Sequence, residues 1–159
     1  MEIPEGIFGE LYLSAMPGRY EPLDQALAEI EAKAISRIVC LSPREEIKVK
    51  SPAYAKALRS RTFPWPMEFF PIADRSIPQD REQFAAFVRH LADEIRAGEA
   101  ILLHCGAGIG RAGTVAVCVL MALGRSRGQA EMAVRRAGSY PERPEQQELI
   151  AWFAQRYRL

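Results

Sequence analysis

The segment from His104 to Thr114 contains residue types at a spacing that could support chemistry. Cys105 lies six positions before Arg111, and three glycines lie between them. An apolar run at 100–103 precedes the cysteine and a helix-like stretch at 114–123 follows, so the sequence predicts a strand, a tight loop and a helix. Backbone N–H groups in such a loop can surround a tetrahedral anion. We therefore expect a cysteine thiolate beneath a bound phosphate, the arrangement for phosphoryl transfer to sulfur.

The residues around the cysteine have predicted roles in holding the anion. The following helix start, the loop amides and Arg111 all favour the thiolate form of Cys105. Arg111 is expected to bind two phosphate oxygens through its planar guanidinium group. His104 is expected to support the loop as a buried structural residue. The predicted phosphate-binding residues are Gly106, Ala107, Gly108, Ile109, Gly110 and Arg111.

Asp74 is the candidate proton donor. The departure of an alkoxide or phenoxide requires a proton, and Asp74 follows a predicted strand on a loop that could close over the anion site. The alternative is an ordinary turn aspartate, because aspartate is common in turns.

Hydrophobic periodicity and helix-start signals predict alternating strands and helices. The predicted strands are 11–13, 35–41, 68–72 and 100–104. One predicted helix begins at Pro22, and five others cover 52–60, 81–96, 114–123, 128–137 and 144–157. Asp80 is expected to cap the 81–96 helix. This alternation implies an α/β fold with a central, mostly parallel sheet flanked by helices. Cys105 then lies at the carboxyl end of a central strand, where open α/β sheets bind ligands.

Length and composition set the broad class of the chain. The 159 residues suit a single domain, 1–159, with a hydrophobic core. A net charge of +1 and the lack of any membrane-length apolar run give no reason to expect nucleic acid or a membrane as partner. Three cysteines, an odd number, and no recognisable signal peptide favour a reducing, cytoplasmic compartment. The scattered histidines and cysteines have no metal-ligand spacing, so no metal site is predicted.

The pattern H-C-x5-R, preceded about thirty residues upstream by an aspartate loop, resembles the cysteine-dependent protein tyrosine and dual-specificity phosphatases. The segments 13–18 and 71–74 look like the kinase-associated phosphatase group. The segment 144–147 looks like the glutamine loop of the cell-division-cycle phosphatases. The resemblance extends over most of the chain and implies a dual-specificity-phosphatase-like fold.

This resemblance implies a two-step phosphatase that needs no cofactor. Cys105 would be the nucleophile, and Asp74 would protonate the leaving group and then act as base on the hydrolytic water. Gln146, or in second place Gln147, would position that water. The implied substrate is a phosphorylated protein, with phosphotyrosine or also phosphoserine and phosphothreonine, or a small aryl phosphate. We expect the chain to act as a monomer.

Two features depart from the family pattern. These enzymes usually have Ser or Thr after the arginine, where a hydroxyl helps the thiolate leave, but this chain has Ala112. Thr114 lies two residues further on, so slow breakdown of the phosphocysteine is expected. The loop from Cys105 to Arg111 contains no lysine, whereas phosphoinositide-directed relatives often place lysines there. A protein or small aryl phosphate is therefore favoured.

Three other features each have two interpretations. Arg75, beside Asp74, either contacts the substrate or is an ordinary exposed arginine. The basic stretch 44–61 is either a solvated face or a landing area for anionic substrates. Cys40 ends a strand expected beside the one that carries Cys105. It is either a buried core residue or, as in some family members, the partner of a reversible disulfide.

Two other functions stay open at the level of the sequence. The first is a phosphate-binding pseudophosphatase that recognises phosphorylated partners without turnover, which Ala112 keeps open. The second is a sulfurtransferase or arsenate reductase, which also uses a cysteine in an anion-binding loop. The joint presence of Cys105, Arg111 and Asp74 favours the phosphatase.

Overall fold

The computed structural model describes Ile3, Gly6, Ile7 and residues 9–157. The strands are β1 (Glu10–Ser14), β2 (Arg37–Cys40), β3 (Met67–Phe69) and β4 (Ala100–His104). The helices are α1 (Leu23–Ala32), α2 (Arg44–Lys50), α3 (Pro52–Leu58), α4 (Arg81–Arg96), α5 (Gly110–Ala122), α6 (Arg127–Arg136) and α7 (Pro144–Tyr157). No helix within these described residues is long and apolar enough to cross a bilayer.

The four strands form one parallel sheet in the order β1-β4-β2-β3. Cys40 of β2 is in register with His104 of β4, so the strand that ends at Cys40 does lie beside the one that precedes Cys105. Because all four strands run the same way, the loops that follow their carboxyl ends meet at one edge of the sheet. The predicted α/β fold with a parallel sheet is therefore confirmed.

Alternation along β4 divides its side chains between the two faces of the sheet. Ile101 and Leu103 pack in a large core with residues of α4, α5, α6 and α7. Leu102 packs on the opposite face against Ile30, Ile35 and Ile38. His104 lies on that second face as well, against Tyr54 of α3. The last residue of the strand is thus directed away from the face that holds Cys105.

The helix that follows the predicted phosphate-binding loop, here called the phosphate loop (residues 105–109), begins earlier than predicted. The sequence predicted a start at Thr114, whereas α5 begins at Gly110. Gly113 looked like part of the loop, but its role is close packing, because a β-carbon there would lie 2.7 Å from the backbone nitrogen of Tyr140. Arg111 consequently lies in the first turn of α5.

The sequence does not predict helix α2, although the stretch 44–61 is basic. Its only buried residue is Ile47, so no periodic apolar face marks it in the sequence. Its charges suit a helix nonetheless, since Glu45 and Glu46 lie in the first turn and Lys48 and Lys50 in the last. The predicted 81–96 helix is confirmed as α4, with the Asp80 side chain accepting a hydrogen bond from the Gln83 N–H at 3.0 Å.

Candidate active site

A small cleft opens at the carboxyl edge of the sheet. Its lining residues come from three segments of the chain and are Asp74, Arg75, Cys105, Ala107, Gly110, Arg111, Glu142 and Gln146. The structure thus brings the predicted nucleophile, arginine, aspartate and glutamine to one place. His104 is fully buried and does not line the cleft.

The loop from Cys105 to Ile109 is fixed from outside through its carbonyl groups. The carbonyl of Gly106 accepts from the Met16 N–H at 3.1 Å, and that of Gly108 accepts from the Ser139 hydroxyl. Gly108 has a φ of +75°, and a β-carbon on it would lie 2.4 Å from the carbonyl carbon of Ser14, so only glycine fits there.

The N–H groups of residues 106–109 make a different pattern. None of them donates to a group in the part of the chain that the structure describes. A loop whose carbonyls are anchored outward and whose amides are unused is a suitable binding site for a tetrahedral anion. The start of α5 directly after the loop adds the positive end of a helix dipole.

Arg111 is buried and is held mainly by Glu46. Its Nη1 donates to Glu46 Oε1 at 2.8 Å and its Nη2 to Glu46 Oε2 at 2.7 Å. Nη1 also donates to the carbonyl of Ile72 at 2.9 Å, immediately before the aspartate loop. Burial alone would raise the pKa of Glu46, but the hydrogen bonds from Arg111 and Lys50 outweigh it and lower the pKa to about 2. Glu46 is therefore ionised and fixes the plane of the guanidinium group.

Asp74 is held at the mouth of the cleft by two cations. Its Oδ1 lies 3.2 Å from Arg111 Nη2, and its Oδ2 lies 3.2 Å from Lys50 Nζ. Lys50 also bonds Glu46 Oε2 at 3.0 Å and lies over the phosphate loop, since a β-carbon on Gly106 would be 2.8 Å from its Nζ. The aspartate side chain is 54% exposed, so it faces the space from which a substrate would enter.

His104 supports the loop from beneath. Tyr54 Oη lies 2.8 Å from its Nε2, and its Nδ1 lies 3.4 Å from the carbonyl of Cys105. Complete burial lowers the pKa of His104 to about 4, so the ring is neutral near pH 7. A neutral ring with the proton on Nδ1 satisfies both contacts, with the tyrosine hydroxyl donating to Nε2.

Gln146 lines the cleft, and Gln147 does not. The Oε1 of Gln146 accepts from the N–H groups of Glu142 and Arg143 at 2.7 and 3.0 Å. Its Nε2 approaches the carbonyl of Ser76, in the aspartate loop, at 3.4 Å. The exposed Gln147 instead accepts from Arg127 at 3.1 Å. Of the two glutamines singled out in the sequence, only Gln146 is placed to reach a molecule in the cleft.

The residues that follow Arg111 offer no hydroxyl toward Cys105. Ala112 is fully buried in the core. The Thr114 hydroxyl donates to the carbonyl of Gly110 at 2.7 Å, one helical turn back, and is occupied there. Thr114 therefore does not replace the serine or threonine that position 112 lacks.

The three cysteines are free and buried. Cys40 packs with Met16, Ile47 and Tyr54 on the face opposite the α5 core, and burial raises its pKa to about 12. Burial likewise raises the pKa of Cys118 within α5. Within the described residues, no group of three or more His, Cys, Asp or Glu side chains has an arrangement that would hold a metal ion.

Three charged residues of the site are not among the predicted site residues: Glu46, Lys50 and Glu142. Glu142 lies beside the start of α5, since a β-carbon on Gly110 would be 2.5 Å from its Oε1. One general signal applies to Glu46, because a buried arginine requires an anionic partner. Nothing in the local sequence identified which carboxylate that would be.

Comparison with known proteins identifies the family of this domain. Residues 15–153 match the family model described as PTP-SAK, Swiss Army Knife protein, DSP-PTPase phosphatase domain. A segment of 54 residues, 32% of the chain, is 46% identical to the protein named "Putative tyrosine phosphatase 067L" of Invertebrate iridescent virus 3. That match spans only 22% of the viral protein's length.

Solved phosphatase structures share the fold. Tk-PTP in its active form is 29% identical, with a TM-score of 0.72 and 93% of each chain covered. A glycine-to-alanine mutant form of Tk-PTP is 30% identical, with a TM-score of 0.72 and coverage of 94% of this chain and 92% of that one. Kinase associated phosphatase (KAP), with its catalytic cysteine replaced by serine, is 22% identical, with a TM-score of 0.78 and coverage of 93% and 87%. The chain belongs to the dual-specificity and protein tyrosine phosphatase family, as a domain of the DSP-PTPase type.

Proposed function

We propose that this protein is an active cysteine-dependent phosphatase that hydrolyses phosphate monoesters through a phosphocysteine intermediate. The observation that carries the proposal is the convergence of Cys105, Arg111 and Asp74 in one cleft, beside a loop of unused amides. Nucleophile, phosphate clamp and proton donor are the parts that the reaction needs. No cofactor is required.

In the first step, the Cys105 thiolate attacks phosphorus as the phosphate lies on the loop amides and Arg111. The ester P–O bond breaks and a P–S bond forms. The leaving oxygen takes a proton from the protonated carboxyl group of Asp74, so the departing group leaves as a neutral alcohol or phenol. Arg111 and the amides stabilise the negative charge on the equatorial oxygens.

In the second step, a water molecule attacks the phosphocysteine. The Asp74 carboxylate takes a proton from that water, the P–S bond breaks, and the Cys105 thiolate and inorganic phosphate are released. We assign Gln146 to orienting the water, a role supported by its place in the lining of the cleft and its contact with Ser76 of the aspartate loop. The loop residues 106–110 hold the phosphate through both steps.

We propose a phosphorylated protein as the substrate, with phosphotyrosine and also phosphoserine or phosphothreonine as acceptable groups, or a small aryl phosphate. The absence of lysine between Cys105 and Arg111 supports this choice over a phosphoinositide. The three free cysteines support a reducing, cytoplasmic setting. We propose further that residues 1–159 work as one domain and as a monomer.

Hydrolysis of p-nitrophenyl phosphate, followed from mildly acidic to mildly basic pH, tests the proposal. We expect turnover to vanish in Cys105→Ser and to fall about a hundredfold or more in Asp74→Ala. Cys118→Ala and Asp93→Ala are matched controls, since neither residue lines the cleft. An inert wild type that still binds phosphate or vanadate would instead identify a phosphate-binding pseudophosphatase. Full activity in Asp74→Ala would show that Asp74 is not the proton donor of this reaction.

A further inference from the structure

We propose that Arg75 is a substrate-binding residue that recognises a second anionic group of the substrate, next to the phosphate that is hydrolysed. This inference rests on the proposed function, because it assigns a partner for the phosphate site described above. The second group is either a carboxylate beside the phosphorylated residue or another phosphate on the same peptide. Both present the paired oxygens that a guanidinium group binds.

The backbone at Arg75 is the first observation. Arg75 has a φ of +60°, and Ala34 is the only other described non-glycine residue with a positive φ. The Ser76 N–H donates to the carbonyl of Ala73 at 3.0 Å, so Arg75 is the third residue of a four-residue turn. Glycine or asparagine usually supplies a positive φ at that position, because the side chain of any other residue is strained there. A strained residue beside the proposed acid, Asp74, is typical of a functional site.

The turn is held rigidly on both sides, which keeps Arg75 in place. The Ile72 N–H donates to the carbonyl of Leu41 at 2.8 Å, and the Ile72 carbonyl accepts from Arg111 Nη1 at 2.9 Å. On the other side, Gln146 approaches the carbonyl of Ser76 at 3.4 Å. Surrounding contacts of this kind are what allow a strained conformation to persist.

The second observation is that the guanidinium group of Arg75 has no partner among the residues that the structure describes. Arg75 is exposed, lines the cleft together with Cys105 and Asp74, and has no hydrogen bond or ion pair with any residue that the structure describes. The two other cations of the site, Arg111 and Lys50, are both bound to Glu46 and Asp74. Arg75 is therefore the cation of this cleft that is free to bind an anion from outside.

The ion pairs of Arg111 and Lys50 indicate which cation is left for each anionic group of a substrate. Arg111 binds the phosphate that reacts, and Lys50 is occupied by two carboxylates. A second negative charge close to the reacting phosphate would meet Arg75 at the mouth of the cleft. The one acidic side chain among the lining residues besides Asp74 is Glu142, which makes no ion pair with Arg75.

Three phosphotyrosine peptides of one length test this proposal: one with neutral flanks, one with glutamates beside the phosphotyrosine, and one with a neighbouring phosphothreonine. Hydrolysis is compared in wild type, Arg75→Ala and Arg75→Gly, and binding is measured by titration in a Cys105→Ser background. Arg75→Gly fits the turn without strain, so a loss shared by both variants comes from the guanidinium group and not from the backbone. Arg61→Ala removes an exposed positive charge outside the cleft and serves as the control.

We expect wild type to prefer at least one doubly anionic peptide over the neutral one, and both Arg75 variants to lower that preference about three- to tenfold. If only the preference for the glutamate peptide is lost in the Arg75 variants, the group that Arg75 binds is a carboxylate. If only the preference for the bisphosphorylated peptide is lost, that group is a phosphate. No preference in wild type, or the same preference in Arg75→Ala and Arg75→Gly, overturns the proposal. If no peptide is hydrolysed but Cys105→Ser binds the anionic peptides through Arg75, the binding role stands and the proposed phosphatase activity fails.

Discussion

Glu46 and Arg111, which are 65 positions apart in the chain, are joined by two nearly parallel hydrogen bonds of 2.7 and 2.8 Å. Glu46 lies in the first turn of α2 and Arg111 in the first turn of α5. The carboxylate accepts one N–H from each terminal nitrogen of a guanidinium group that is only 3% exposed. The plane of the Arg111 guanidinium group is thus set by a residue of another helix.

Glu46→Gln is expected to lower kcat/KM about ten- to a hundredfold, because an amide can accept from only one guanidinium nitrogen and leaves the other misdirected. Hydrolysis of p-nitrophenyl phosphate measures the effect. Glu45→Gln changes an exposed carboxylate in the same helix, whose partner is Lys48, and should leave kcat/KM within about twofold. Equal rates for Glu46→Gln and the wild type would show that the ion pair does not position Arg111.

The buried His104 should make the fold sensitive to mild acid. The pKa of His104 is about 4 in the folded state and about 6.5 when exposed, so between these pH values the side chain is protonated in the unfolded chain and neutral in the folded chain. The contribution of His104 to the free energy of unfolding has its full value above about pH 6.5. It decreases as the pH falls toward 4, by about 3 kcal/mol in total. Urea unfolding at a series of pH values between 4 and 7 measures the slope.

His104→Gln removes the titrating group and keeps an oxygen that can accept from Tyr54, so the pH slope between 4 and 6.5 should flatten. His90→Gln makes the same substitution at the exposed histidine of α4 and serves as the matched control. A slope that persists in His104→Gln would assign the acid sensitivity to another group. The contribution of Glu46 falls at lower pH, between about 4.5 and 2, and so does not overlap this window.

The elements that hold the site could be predicted because their signals are local. The apolar run before Cys105 marks β4, and the glycines and the arginine mark the loop, all within one stretch of chain. Asp80 and the apolar spacing after it mark α4 in the same way. Local patterns of this kind are sufficient to predict a parallel α/β sheet and to place the cysteine at its carboxyl edge.

The electrostatic partners in the site could not be predicted, because they depend on contacts between distant segments. Glu46 and Lys50 lie in a helix that buries only Ile47, so its sequence resembles a solvated charged stretch. The positive φ of Arg75 is equally invisible, since glycine or asparagine would have been the expected signal at that turn position. Gly113 packs against Tyr140, which is distant in the sequence, so its role could not be predicted either. For that reason the predicted start of α5 lies four residues later than the observed one.

Cys40 is expected to stay reduced when Cys105 is oxidised. Its side chain packs with Met16, Ile47 and Tyr54, whereas Cys105 belongs to the core on the other face of the sheet. Burial raises its pKa to about 12, so almost no thiolate is present to attack an oxidised Cys105. Intact-mass measurement after mild peroxide should show oxygen addition and no loss of two protons. A two-proton loss that disappears in Cys40→Ala would establish a disulfide between the two residues.

Ala112 is expected to make breakdown of the phosphocysteine slower than its formation. No hydroxyl follows Arg111 in reach of the sulfur, because Ala112 is an apolar core residue and the Thr114 hydroxyl is bound to the carbonyl of Gly110. The departing thiolate therefore lacks a hydrogen-bond donor that would stabilise its charge. Rapid-mixing measurements with p-nitrophenyl phosphate should show a burst of nitrophenol that approaches one per enzyme, followed by a slower steady state.

Ala112→Ser should shrink that burst and raise the steady-state rate about tenfold, since one hydrogen bond to a charged leaving group contributes about 1.5 kcal/mol or more. Thr114→Val is the matched control: it removes the other hydroxyl of this helix turn with little change in shape, and it should leave the burst unchanged. The substitution adds a single oxygen at a fully buried position, and its hydroxyl would be the donor that the sulfur lacks. A wild type without a burst, whose steady-state rate is the same in Ala112→Ser, would show that the second step does not depend on a hydroxyl at position 112.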